Sequence, residues 1–195
     1  LLYAGDHAII VTPSYQSLED SAKLAGCEVT RVALSPDDNW RLNIIAIEAA
    51  IKDNTKYIAL NDPHNPSGAL MDLETKTALC KVAEKYQLVI LSDEVYWLLE
   101  IDPEERSASM ADISKNALAL STMSKPWGAG GTGIGWIACQ DQTLCEKLRR
   151  AQNIYAVCFS RAGEIQTMMV LRCSDRIIDK NIHIIKTNLE LLEQY

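Results

Sequence analysis

The sequence predicts an α/β fold, a mostly parallel sheet sandwiched by helices, and three observations point to it. Apolar runs of strand length alternate along the chain with segments of helical periodicity. Several strand candidates are apolar on both faces, as strands between two helical layers must be. With 195 residues, 48% of them hydrophobic, the chain has ample material for a full core.

The strand candidates are residues 7–11, 28–33, 56–60, 88–92, 117–121 and 134–139. The first helix candidate is 14–25, closed by Gly26, a residue suited to a helix C-terminus. A second covers 44–52 after Asn43 and a third 73–86 after Asp72, both with side chains suited to capping free N–H groups. Beyond the last strand the pattern is wholly helical: 142–153, 162–171, and a long helix from residue 174 that is still apolar and periodic at the end of the sequence. Residues 1–173 are thus expected to form one domain and 174–195 a helix leading out of it. The first residue is Leu rather than Met, so a processed product or a piece of a longer chain is expected.

Nineteen Lys and Arg against twenty-six Asp and Glu give a net charge of −7, which repels a phosphate backbone and argues against nucleic acid as a partner. No apolar run is long enough for a membrane span and no secretory leader is seen, so a soluble, cytoplasmic protein is expected. The six cysteines have no pair at two-residue spacing and read as reduced core residues rather than disulfides. The three histidines are dispersed and define no metal site. Residues 102–106 read as a solvated loop.

Gly128, Gly130 and Gly133 satisfy GxGxxG, but six residues separate them from the preceding strand and another strand follows. A dinucleotide loop needs a strand running into it and a helix leaving it, so that reading fails on both sides. Lys125, just past a strand and flanked by Thr122 and Ser124, is more informative, because open α/β sheets bind ligands beyond the C-terminal ends of their strands. The same edge should carry Thr12-Pro13-Ser14-Tyr15, the stretch Asn61-Asp62-Pro63-His64-Asn65-Pro66-Ser67-Gly68, and Asp93-Glu94-Val95-Tyr96. An amine, a carboxylate, an amide and two phenols then converge on one rim.

Three of these motifs, Asn65-Pro66-Ser67-Gly68, Ser92-Asp93-Glu94-Val95-Tyr96 and Ser121-Thr122-Met123-Ser124-Lys125, each directly after a strand candidate, resemble in order the class I/II aminotransferases. These are fold type I pyridoxal-phosphate enzymes, and the resemblance runs nearly end to end. It implies pyridoxal 5′-phosphate as cofactor, with Lys125 holding its aldehyde as a Schiff base and, once displaced, moving the substrate α-proton. Asp93 is implied as the partner of the pyridine nitrogen. Asn65 and Tyr96 would hydrogen-bond the phenolic oxygen, Tyr15 would stack on the ring, and Thr122 and Ser124 would hold the phosphate. Trp127 and Trp136 are expected to pack the loop. Amino-acid and keto-acid substrates and a homodimer are also implied.

Where most of the family has a phosphate-binding arginine, eight residues after the lysine, this chain has Gly133; Arg161 is a candidate replacement. The family's phosphate cradle is expected upstream of Leu1 and its substrate-carboxylate arginine downstream of Tyr195. Lys125 and Asp93 would equally serve a lyase or an amino-acid synthase, and a non-catalytic domain retaining the fold is the third alternative.

Overall fold

The computed structural model describes residues 2–156 and 158–194; Leu1, Val157 and Tyr195, and with the last the expected end of the final helix, lie outside them. A six-stranded sheet runs in the order β2-β1-β3-β4-β5-β6. Its strands are β1 (His7–Thr12), β2 (Glu28–Ala33), β3 (Thr55–Asn61), β4 (Val89–Asp93), β5 (Ala117–Thr122) and β6 (Gly135–Ala138). The first five are mutually parallel, and β6 is antiparallel to β5. The helices are α1 (Ser17–Leu24), α2 (Ile44–Ala49), α3 (Leu73–Lys85), α4 (Met110–Ile113), α5 (Gln142–Tyr155), α6 (Arg161–Arg172) and α7 (Ser174–Leu192).

Alternation along the strands divides the core into two layers. Ile9, Val11, Ile58, Leu60 and Ile90 face α2, α3 and α4, where they meet Ile47, Leu79, Val82 and Met110. Ala8, Ile10, Tyr57 and Ala59 face the other way, towards Leu18 and Ala22 of α1. Each large aliphatic side chain buried here contributes about 1.5–3 kcal/mol. On this second face a cleft of about 490 Å³, lined by Tyr57, Val89, Leu91, Leu118, Leu144 and Leu148 among others, lies between α1 and α5. A third cluster joins the loop after β5 to the last helices: Met123 and Trp127 pack on Ile178, with Val170, Ile177 and Ile182 at its margin.

Local sequence explains the helix boundaries. The side chains of Asn43 and Asp72 accept hydrogen bonds from Ala46 N (3.0 Å) and Thr75 N (2.7 Å), as expected of N-caps. Helix α2 stops three residues earlier than its pattern predicts because Lys52 N turns away to donate to Thr55 Oγ1 at 2.7 Å. Helix α1 is shorter at its start, with Ser14 and Tyr15 left in the loop after β1, and its C-cap is Ala25, one residue before Gly26. Helix α4 has a single turn, too short for periodicity to reveal.

The cysteine expectation needs correction. All six are free, but only Cys27 and Cys80 are buried; Cys139 and Cys145 are half-buried, and Cys158 and Cys173 are exposed. The apolar run Ile137-Ala138-Cys139 is not core, because β6 lies at the sheet edge and all four of its residues are exposed. Trp127 packs the loop as expected, whereas Trp136, its ring 5.8 Å away, is 38% exposed. Among the described residues no helix is long and apolar enough to cross a membrane, and no cluster of metal-ligating side chains occurs.

Candidate active site

Four parallel strands end on one edge of the sheet, and the loops leaving β1, β3, β4 and β5 carry the residues singled out by sequence. The centre is the pairing of Asn61 with Asp93, directly opposite one another at the ends of β3 and β4. Asn61 Nδ2 donates to Asp93 O at 2.7 Å, and Asn61 Oδ1 accepts from Asn65 N at 2.7 Å. One buried amide side chain therefore fixes the loop 61–65 against β4. From that loop Asn65 Nδ2 reaches Tyr96 Oη at 3.3 Å.

Asp93 is 5% exposed, and its carboxylate accepts from Val95 N at 3.2 Å. Burial pushes its acidity weaker than an ordinary carboxylate; the Val95 amide and then the Lys125 charge pull the other way. Lys125 is exposed, its Nζ 5.4 Å from the centre of the Tyr96 ring. Thr122 Oγ1 and Ser124 Oγ lie 3.1 Å apart, and the Thr122 hydroxyl reaches Ile134 O at 3.2 Å. The turn holding Lys125 is anchored from α7: Trp127 Nε1 donates to Ser174 Oγ at 2.8 Å and Asn181 Nδ2 to Pro126 O at 2.8 Å.

Tyr15 stands on the same edge but is 60% exposed. Its loop is tied to the next by His64, whose Nε2 lies 2.7 Å from Pro13 O. A carbonyl can only accept, so Nε2 is the donor; Nδ1 meets Ser67 Oγ at 2.6 Å. An open cleft of about 870 Å³ begins at Asn65 and Tyr96 and runs past Leu70, Leu99 and Ile101 to Ile185.

Gly133 ends the short turn 130–132 with φ +64°, and open space lies where a side chain would begin. Arg161, at the start of α6, is paired with Glu164 of its own helix at 2.8 Å, and its side chain is 84% exposed.

Sequence reasoning gave no role to Asn61, His64, Asp62 or Glu94. The signal for three of these is that acidic or amide residues occur in pairs at strand ends, Asn61-Asp62 and Asp93-Glu94, so that alternation sends one member of each pair to either face of the sheet. Glu94 goes to the side of α3 and α4, is 4% exposed, and accepts from Met110 N at 2.8 Å. Burial raises its pKa above the reference value of 4.5. A proton held more tightly in the folded than in the unfolded state stabilises the fold at low pH, and that contribution disappears as pH rises through the raised value. Glu94→Gln keeps the acceptor for Met110 N without the charge. It is expected to raise the urea midpoint at pH 7 and to give no gain at pH 4.

The family described as "Aminotransferase class I and II" matches residues 1–194. An aspartate aminotransferase of Sulfolobus acidocaldarius is 31% identical over 160 residues, 80% of this chain and 40% of that protein. A capreomycidine synthase of Streptomyces vinaceus is 28% identical over 173 residues, 89% of this chain and 44% of that protein. A PLP-dependent aminotransferase structure from Streptococcus suis superposes with a TM-score of 0.92 at 29% identity, covering 100% of this chain and 51% of that one. The chain thus spans two fifths to one half of the length of these relatives. Matched along nearly its whole length, and with the same mostly parallel sheet as a solved relative, the chain belongs to the class I and II aminotransferases.

Proposed function

We propose that this chain is the cofactor-binding part of a pyridoxal-phosphate-dependent aminotransferase that moves an amino group between an amino acid and a keto acid. The observation that carries the reading is Asp93: a buried carboxylate at a strand end, facing an edge shared with an amine and an amide–phenol pair. Such a carboxylate calls for a cationic partner, and a protonated pyridine nitrogen fits the requirement. The residues present therefore suit the ring of the cofactor.

When bound, pyridoxal phosphate supplies a conjugated ring able to take up the electrons left by a broken bond at the substrate α-carbon. Lys125 provides the amine that attaches the cofactor and, in its neutral form, carries the α-proton. Asp93 keeps the ring nitrogen protonated. Asn65 and Tyr96 offer N–H and O–H donors to the phenolic oxygen, Tyr15 covers the ring face, and the hydroxyls of Thr122 and Ser124 serve the phosphate. Gly133 contributes no charge there, so phosphate binding depends on hydroxyl and backbone donors. Residues 1–173 act as the cofactor-binding unit, the helix from residue 174 leads towards a second domain, and the working enzyme is a homodimer.

A second reading, an amino-acid synthase using the same lysine and carboxylate, is favoured by the similarity to the capreomycidine synthase. One experiment addresses both. The intact protein is mixed with pyridoxal phosphate, reduced with borohydride and digested, and the mass increment is expected on the peptide containing Lys125. Transfer of the amino group to an added keto acid then separates a transaminase from a synthase. No increment at Lys125 would leave the non-catalytic alternative.

A further inference from the structure

Asn61, Asp93 and the groups around them occupy one face of the β3–β4 edge, and the opposite face holds a buried charge cluster of which only Glu94 has been described. Alternation points Asp62 and Glu94 towards α3 and α4, on the side of Leu60 and Ile90. Lys76 of α3 meets them there. It occupies the helical stripe of Leu79, Cys80 and Ala83, where an apolar side chain would be expected, and is only 1% exposed. Its Nζ lies 2.7 Å from Asp62 Oδ2 and donates to Ala108 O at 3.0 Å. Asp62 Oδ1 accepts from Met71 N at 2.8 Å, closing the far end of the loop that carries Asn65. The Lys76 charge also acts on the carboxylate of Glu94.

A buried ion pair is an expensive way to gain stability, since a leucine would fill the same space without desolvating two charges. What the pair adds is directional constraint. Asp62 follows Asn61 in sequence, and Asn61 ties Asn65 N and Asp93 O together. A shift of Asp62 therefore moves the residue on which the ring-binding groups depend. We propose that Lys76 is a positioning residue: by holding Asp62 and Ala108 from behind the sheet, it fixes Asn61, and through Asn61 the placement of Asn65 and Asp93. The consequence for the cofactor rests on the function proposed above; the constraint on the loop does not.

The test compares wild type, Lys76→Met and the double variant Asp62→Asn/Lys76→Met by amide hydrogen exchange without cofactor. Residues 61–71 are the reporter and β1 the internal reference. Lys76→Met is expected to speed exchange across 61–71 by about tenfold while leaving β1 unchanged. The double variant, with no carboxylate left facing the lost amine at position 62, is expected to recover part of the thermal midpoint but to keep the fast loop. Wild-type protection of 61–71 in either variant, or acceleration shared equally by β1, overturns the proposal. If Lys76→Met does not fold, the double variant carries the comparison. A second readout is the pH titration of the absorbance of the pyridoxal-phosphate adduct, whose midpoint is expected to shift in both variants, because Asn65 and Tyr96 would no longer be held in place. If wild type forms no adduct, the functional reading fails, while the exchange result still decides the role of Lys76.

Discussion

Lys125→Ala is expected to abolish the borohydride-trapped adduct and to lower amino transfer at least about 10³-fold, because the substitution removes both the attachment point and the proton carrier. The fold should hardly respond. The side chain is exposed, and its turn is held by the Trp127–Ser174 and Asn181–Pro126 hydrogen bonds, none of which involves the amine. A thermal midpoint equivalent to within about 0.5 kcal/mol of wild type is expected, as for other exposed positions. Mass spectrometry after reduction reads the first effect and a thermal scan the second. An adduct that survives in Lys125→Ala would show another lysine to be the attachment point.

A large loss of stability is also expected from Gly163→Ala. Helix α6 approaches the turn 130–132 so closely at this residue that a methyl group would overlap Thr132 O and lie 3.3 Å from Thr132 C. Both atoms belong to the backbone, and Thr132 is buried, so no side-chain rotation relieves the overlap. The helix and the turn must separate, at a cost of about 3 kcal/mol, the upper end for overpacking. The same separation disturbs the loop between β5 and β6, on which Lys125 stands. A fall in the urea midpoint together with slower adduct formation is the expected pair of results; Gly163→Ser should behave similarly, since it introduces the same Cβ.

Most of the strands were legible because they are continuous apolar runs, and the six found match those read from sequence to within a residue or two. The direction of β6 was not read, although it could have been. The twelve residues that join β5 to β6 are rich in glycine and hold no α-helix, so they lack the helical crossover usual in a parallel return. The convergence of Lys125, Asp93, Asn65 and Tyr96 on one edge was legible because each follows a strand, and strand ends define the edge whatever the tertiary detail. The support behind them was not. Lysine in a helix normally faces water, and its appearance at a buried stripe position is recognisable only once Asp62 is known to lie opposite it. His64 was hidden for a similar reason, since its partner Pro13 is distant in sequence and offers only a backbone carbonyl.

The position of β6 bears on how the chain behaves in company. It is an outermost strand of the sheet, and Trp136 and Ile137 are 38% and 41% exposed. Its outer row of amides and carbonyls carries none of the charges or prolines that commonly blunt such a border. A further strand, from elsewhere in the same protein or from a partner, has a row of backbone groups to pair with along this border, and Ile137→Lys is the smallest change that would blunt it.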